Sequence, residues 1–311
     1  MTQFFVKNRE NLTDRIVAFT LMPKAPFTSE PWSAGAHIDI DLGPLGSRSY
    51  SLITWPNENS ANYQIAVQRE DQGLGGSQAV HAFKTGQSVI VSPPKNSFAL
   101  IEDDLPVALI AGGIGITPMI SMATALHKEG RLFILHYLGR SAETMACSDR
   151  LRAEFGDAVN VHLDDRNPID LSSTIEALSG HRLYICGPKG MIDAVRNTAA
   201  RHGIPSERIH IELFETPTLE NPEKCFEVEI KSTGDIFEIP ANKSILEVLE
   251  AGGVDLIYDC QRGDCGICCV DVLHGIPDHR DVVLSQAEKD SGKVMQICVS
   301  RAHSDRLLLD I

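Results

Sequence analysis

Up to residue 102, apolar and polar positions alternate in short runs such as HIDIDL at 37–42, NYQIAVQR at 62–69 and SVIVSP at 88–93, separated by Gly, Pro and Asn. A period of two sends successive side chains to opposite faces of a strand, so these runs predict a small antiparallel β-barrel. From Val107 the pattern changes: VALIA runs into GGIGITP and the helical stretch PMISMATALHKEG, then strand-like LFILHYL and helical SDRLRAEFG. The alternation continues through VNVHLDD, STIEALSG, LYICGP, GMIDAVRNTAARHG and RIHIELF. Strand and helix in strict alternation predict a parallel sheet covered on both faces, the doubly wound α/β architecture. TPTLENPEK at 216–224 is polar, carries two prolines and reads as a linker. Beyond it CFEVEIK, DIFEIP and SILEVLEAG give two strands and a helix, an α+β start, before a cysteine-rich loop. The expected domains are therefore 1–102, 103–222 and 223–311.

Composition narrows the functional classes. At 311 residues, 43% apolar and 23% charged, the chain is an ordinary folded protein too long for one core. A formal charge of −14 argues against nucleic-acid binding, which needs clustered Lys and Arg. MTQFFVKNRENLTDR is no export leader, and no run is long enough to cross a bilayer, so a cytoplasmic protein without a membrane partner is expected. Oligomeric state leaves no direct trace, and a monomer is expected.

The eight cysteines are unevenly placed, with Cys260, Cys265, Cys268, Cys269 and Cys298 in the last third. That clustering points to metal, not disulfides. Cys260-x4-Cys265-x2-Cys268, with Cys298 after 29 intervening residues, is the spacing of plant-type 2Fe-2S centres. Gly263 and Gly266 let the backbone fold tightly and aim N–H groups at the cluster sulfurs. Structural zinc is the alternative, but it usually pairs two short C-x2-C knuckles. Cys147, Cys225 and Cys269 lack partner spacing and are read as structural, Cys269 as a small buried residue.

YDCQRGDCGICCVDVLHGIPDHRDVVLS resembles the plant-type ferredoxin domain, a β-grasp fold, that ends the phthalate dioxygenase reductase family. Relatives in that family include the reductases of vanillate demethylases. Upstream, Gly112, Gly113, Gly115, Thr117 and Pro118 close the first strand of the alternating region, where a dinucleotide pyrophosphate can approach helix N–H groups. Cys186, Gly187 and Pro188 close a later strand, with Met191 in the next helical turn, and both turns should face one crevice. GGIGITPM and CGPKGM together resemble the NAD(P)-binding half of the ferredoxin-NADP reductase superfamily. The resemblance implies that Thr117 lies against the flavin and Cys186 borders the nicotinamide, whereas the residues alone leave Cys186 as a buried strand end. Arg140 and Ser141 follow the second strand, and without a second basic residue there NADH is favoured over NADPH.

In the barrel region Arg48, Ser49, Tyr50 and Ser51 stand on one strand, so only a bend would let all four meet one ligand. Unaided, RSYS reads as an exposed strand, yet it resembles the superfamily's flavin motif RxYS. That implies Arg48 on phosphate, Tyr50 stacked near the flavin and Ser51 at the ring nitrogen that accepts hydride. Gly75, Gly76 and Ser77 open a helix-like segment, again a place for phosphate. They resemble the RGGS of the FMN-using branch, except that Leu74 replaces its Arg. FMN is preferred over FAD, and Phe214 falls where the family places an aromatic near the flavin, or else is a core Phe at a domain boundary.

A hydride carries two electrons and an iron-sulfur cluster takes one, so flavin must split the pair. The expectation is a reductase passing electrons from NADH to FMN, to the 2Fe-2S cluster and on to a Rieske-type oxygenase component. A cluster near about −400 mV can reduce a Rieske centre at about −150 mV or above. Ser51, Thr117 and Cys186 are the expected residues at the hydride transfer. A reductase for a diiron hydroxylase or a ferredoxin, and a flavin and iron-sulfur redox sensor without turnover, are the alternatives.

Overall fold

The computed structural model describes residues 1–24, 31–58, 62–214 and 224–311. The chain divides into two compact units, Met1–His210 and Ile211–Ile311. The expected linker falls almost wholly outside the described residues.

The first unit opens with β1 (Thr2–Asn11), β2 (Ile16–Pro23), β3 (His37–Asp41), β4 (Ser47–Ser51), β5 (Tyr63–Gln68), α1 (Gly76–His81) and β6 (Ser88–Val91). These strands form one antiparallel sheet in the order β4-β3-β6-β1-β2-β5. Just after β4, the Ile53 N–H donates to Gln64 O of β5 at 2.8 Å, which ties the two ends of that order together. Alternation along the strands sends Phe4, Val6, Phe19, Leu21, Ile38, Ile40, Ile65 and Val67 into the barrel core.

The same unit continues with β7 (Val107–Gly112), α2 (Ile116–Glu129), β8 (Phe133–Gly139), α3 (Ser148–Phe155), β9 (Val159–Leu163), α4 (Leu171–Ala177), β10 (Arg182–Cys186) and α5 (Lys189–Arg201), and β11 (Ile209–Glu212) begins in it and ends in the second unit. The strand order is β11-β10-β7-β8-β9, and β7 pairs in parallel with both β8 and β10. All six residues of β7 are buried, which is why VALIAG is a continuous apolar run and not an alternating one. The order reverses between β7 and β10, and a crevice outside the carboxyl ends of the strands opens at such a switch.

The second unit holds β12 (Phe226–Ile230), β13 (Ile236–Ile239), α6 (Ile245–Ala251), β14 (Cys269–His274), β15 (Pro277–Asp278), α7 (Gln286–Ser291), β16 (Val294–Gln296), β17 (Arg301–Ala302) and β18 (Arg306–Asp310). Its sheet runs β13-β12-β18-β14-β16, with β12 and β18 parallel and the other pairs antiparallel. Ser244 caps α6 by accepting from the Glu247 N–H while the Glu247 carboxylate accepts from the Ser244 N–H. The chain from α6 to β14 is the cysteine loop.

Candidate functional site

On β4 the register sets Arg48 opposite Ile40, Ser49 opposite Asp39 and Tyr50 opposite Ile38. Arg48 and Tyr50 share a half-buried face, and Ser49 stands exposed on the other, its hydroxyl donating to Asp39 Oδ1 at 2.7 Å. No bend brings Ser49 to that face. Arg48 lies against the start of α1: a Cβ on Gly76 would sit 2.7 Å from its Nε, so RSYS and the glycine pair meet in space. Gly75 takes a φ of +83°, a backbone that favours glycine, while the Ser77 hydroxyl is used locally, accepting from the Glu70 N–H at 2.9 Å. Burial pushes the Tyr50 phenol up to about 12, so it stays protonated. Ser51 is 4% exposed and its Oγ has no hydrogen-bond partner among the described residues, a buried orphan of the kind a bound polar group satisfies. An arginine fork beside a side-chain-free backbone, with an orphaned hydroxyl three residues along the strand, fits a flavin phosphate and ring.

The two glycine turns sit at the switch between β7 and β10 and touch each other. A Cβ on Gly115 would lie 2.3 Å from Cys186 O, one on Gly112 2.7 Å from Met191 Sδ, and one on Gly187 2.9 Å from Gly112 N. Pro188 Cδ closes on Gly112 as well, at 2.9 Å from that position. Gly113, at φ +54°, faces open space, so the turn is packed on one side and clear on the other. This is the fit a dinucleotide requires. Thr117 is buried at the head of α2, its hydroxyl donating to Ile114 O at 3.1 Å. Arg140 is exposed beyond β8, and the Ser141 N–H donates to Thr144 Oγ1 at 3.3 Å.

In the second unit the four expected thiols come together. The four free thiols hydrogen-bond one another, Cys260 with Cys265 and Cys298, and Cys298 also with Cys268; these pairings hold Cys260 and Cys268 below the usual thiol range and Cys265 and Cys298 above it. The Arg262 N–H donates to Cys260 Sγ at 3.3 Å, an amide aimed at a ligand sulfur as the glycine-rich loop implies. Gly263 and Gly266 take φ of +77° and +80°, and a Cβ on Gly263 would strike Val299 Cγ2 at 2.6 Å. Among the described residues no group of three or more His, Cys, Asp or Glu side chains is arranged to hold a single metal ion. A cluster of two bridged irons takes two thiolates at each iron, and a set linked in pairs suits it better than a zinc site.

Two expectations need revision. Cys269 is exposed, not buried, because it opens β14 with its side chain on the solvent face. Phe214 is 38% exposed, so it is no core residue.

The model of the 2Fe-2S iron-sulfur cluster binding domain matches residues 228–303. The chain is 40% identical over 302 residues to the phenoxybenzoate dioxygenase subunit beta of Ectopseudomonas oleovorans, covering 96% of this chain and 93% of the relative. It is 38% identical to the vanillate O-demethylase oxidoreductase of Pseudomonas sp. strain HR199, covering 90% of each. The solved phthalate dioxygenase reductase, described as a modular structure for electron transfer from pyridine nucleotides to [2Fe-2S], matches at 37% identity and TM-score 0.71 over 99% of this chain and 97% of its own. The chain belongs to the phthalate dioxygenase reductase family. It spans 41% of the length of a solved intact type IV self-sufficient cytochrome P450 monooxygenase and 42% of that of full-length CYP116B46 from Tepidiphilus thermophilus.

As a member of this family the chain is an oxidoreductase. Two groups escaped the reading from sequence. Ser121 and Thr124 on α2 bond the segment that leaves Ser51. Within the thiol loop the Arg262 guanidinium lies 3.8 Å from the buried Glu212 carboxyl and 3.4 Å from that of Asp264, whose Oδ2 also accepts from the Leu213 N–H at 2.8 Å. Neither carries a motif, since their members lie tens of residues from what they touch.

Proposed function

We propose that the chain is the NADH-dependent reductase component of a Rieske-type aromatic-ring dioxygenase or O-demethylase system. It works in three domains, 1–102 for FMN, 103–222 for NADH and 223–311 for the 2Fe-2S cluster. The observation that carries this reading is a four-thiol loop in the same chain as a switch-point crevice and an Arg48 and Ser51 flavin site.

Arg48, against Gly76, holds the FMN phosphate by its planar fork. The partnerless Ser51 hydroxyl hydrogen-bonds the flavin ring, and Tyr50 packs beside it with its proton retained. Gly112, Gly113, Gly115 and Gly187 bring backbone N–H groups to the dinucleotide, and Cys186, Pro188 and Met191 wall the nicotinamide side. Thr117 closes the head of α2 against the flavin, and Arg140 lies where the adenosine ribose is read. A flavin held there would supply the passage from a hydride pair to single electrons that a one-electron cluster requires. Cys260, Cys265, Cys268 and Cys298 hold that cluster. The chain is cytoplasmic and monomeric and docks a protein acceptor; among the described residues no helix is long and apolar enough to cross a membrane.

Purified anaerobically, the protein should show a flavin and 2Fe-2S spectrum, release FMN on denaturation, and reduce a Rieske oxygenase acting on an aromatic acid when NADH is added. A cluster that stays oxidised after NADH has bleached the flavin would sink the electron path. Faster reduction of a cytochrome P450 than of any Rieske oxygenase would reassign the acceptor.

A further inference from the structure

Leu52–Thr54 leaves Ser51 as a strap sewn on two sides. Toward the barrel, the Leu52 N–H donates to Ala36 O and the Ile53 N–H to Gln64 O, each at 2.8 Å. Toward α2, Ser121 Oγ donates to Leu52 O at 2.6 Å and accepts from the Thr54 N–H at 2.9 Å. One turn on, Thr124 Oγ1 donates to Thr54 O at 2.7 Å. Both hydroxyls are 3% exposed. Mid-helix Ser and Thr often bond back to their own preceding turn, whereas these two bond the strap.

The geometry places both ends of one step on a single rigid element. Thr117 lies four residues before Ser121, hence on the same face of α2, and the Gly112–Gly115 turn leads directly into that helix. Ser51 is joined to the same helix through the next residue's carbonyl. We infer that Ser121 and Thr124 are positioning residues that fix Ser51, and with it the hydride-accepting edge of the flavin, relative to the nicotinamide turn. Neither hydroxyl reaches the reacting atoms; each acts through the strap.

The inference rests on the NADH-to-flavin reading, and its test separates the two. A wild-type chain with bound flavin that NADH does not reduce defeats that reading by itself. With wild type active, Ser121→Ala removes both strap bonds of one hydroxyl. Because small misplacements at a reacting centre are costly, the limiting rate of flavin reduction should fall about tenfold or more in single turnover. Affinity for NADH should stay within about twofold, since the dinucleotide turn is untouched. Ser121→Thr, which keeps the hydroxyl, should restore the rate.

Independently of turnover, amide exchange at Thr54 should accelerate in Ser121→Ala, and the visible circular dichroism of the bound flavin should change. Arg150→Ala serves as a structural control. It removes the Arg150 Nη2 to Glu58 Oε1 contact at 2.6 Å and the guanidinium 3.9 Å over Trp55, farther along the same segment. This variant should lower melting temperature without slowing flavin reduction. If Ser121→Ala does not fold, Thr124→Val, which keeps the shape and removes one bond, should slow reduction about threefold. Flavin-replete Ser121→Ala or Thr124→Val reducing at the wild-type rate, or Arg150→Ala slowing as much as either, would overturn the positioning role.

Discussion

The thiol loop and the two glycine turns proposed for the dinucleotide are built on opposite principles. In the loop, function rests on side chains that are present: three of the four sulfurs come from nine consecutive residues, 260–268, and Cys298 completes the set. In the turns it rests on side chains that are absent, with Gly112, Gly115 and Gly187 leaving no room for a Cβ beside Met191, Cys186 O and Gly112 N. A ligand set is specified by atoms close in sequence, and a crevice by strand order, which brings residue 112 against residue 187 through parallel pairing of β7 and β10. The first site therefore fails when an atom is lost, and the second when one is gained.

The largest effect follows from losing a sulfur. Cys265→Ser should abolish the 2Fe-2S absorption and NADH-driven cytochrome c reduction, while ferricyanide reduction, fed by flavin, persists. Iron and sulfide analysis checks the first part. A variant that still reduces cytochrome c at the wild-type rate would show that electrons leave by another route. Gaining an atom comes next. In Gly115→Ala the new methyl meets backbone, Cys186 O at 2.3 Å, which cannot swing away as a side chain end could. The turns must part, and NADH turnover should fall about a hundredfold with the cluster spectrum intact. Unaltered NADH kinetics would mean that the packing of the turns is not what shapes the dinucleotide site.

The same contrast decides what sequence could reveal. Cys260, Cys265 and Cys268 are legible because thiolate spacing within one loop constrains geometry directly, and Cys298 is the one that stands apart from that loop, after β16. The strand-helix alternation was legible because a buried parallel strand such as VALIAG has to be apolar throughout. Ser121 and Thr124 were not, for a Ser or Thr inside MISMATAL looks like any small residue of a packed helix until the strap is seen against it. Glu212 lies 50 positions from Arg262 and Asp264 lies 51 from Leu213, and nothing in IELF signals a buried carboxylate. Cys269 was misread because a cysteine following a ligand looks like core, and which face of β14 meets solvent depends on β16 and β18.

Buried titratable groups give the smallest effect, and the two regions should again respond oppositely. On β8, His136 is 7% exposed with Nδ1 3.0 Å from His162 Nε2; burial first, then His162 and His181, hold it down to about 4. Between about 4 and the ordinary value of 6.5 the unfolded chain binds the proton that the native imidazole refuses, so stability falls as pH drops through that window. In the second unit, burial pushes Glu212 up to about 8, despite Arg262, with Asp264 adding to the rise. Here the native carboxyl keeps a proton that the unfolded chain loses near 4.5, so stability falls as pH rises from 4.5 toward about 8. Thermal unfolding across pH should therefore show the first unit weakening on the acid side and the second on the alkaline side. His136→Asn should flatten the first limb and Glu212→Gln the second, each by on the order of 1 kcal/mol. Limbs that keep their slopes in both variants would place the pH sensitivity elsewhere, and the opposition of the two regions would then hold for their ligand sites alone.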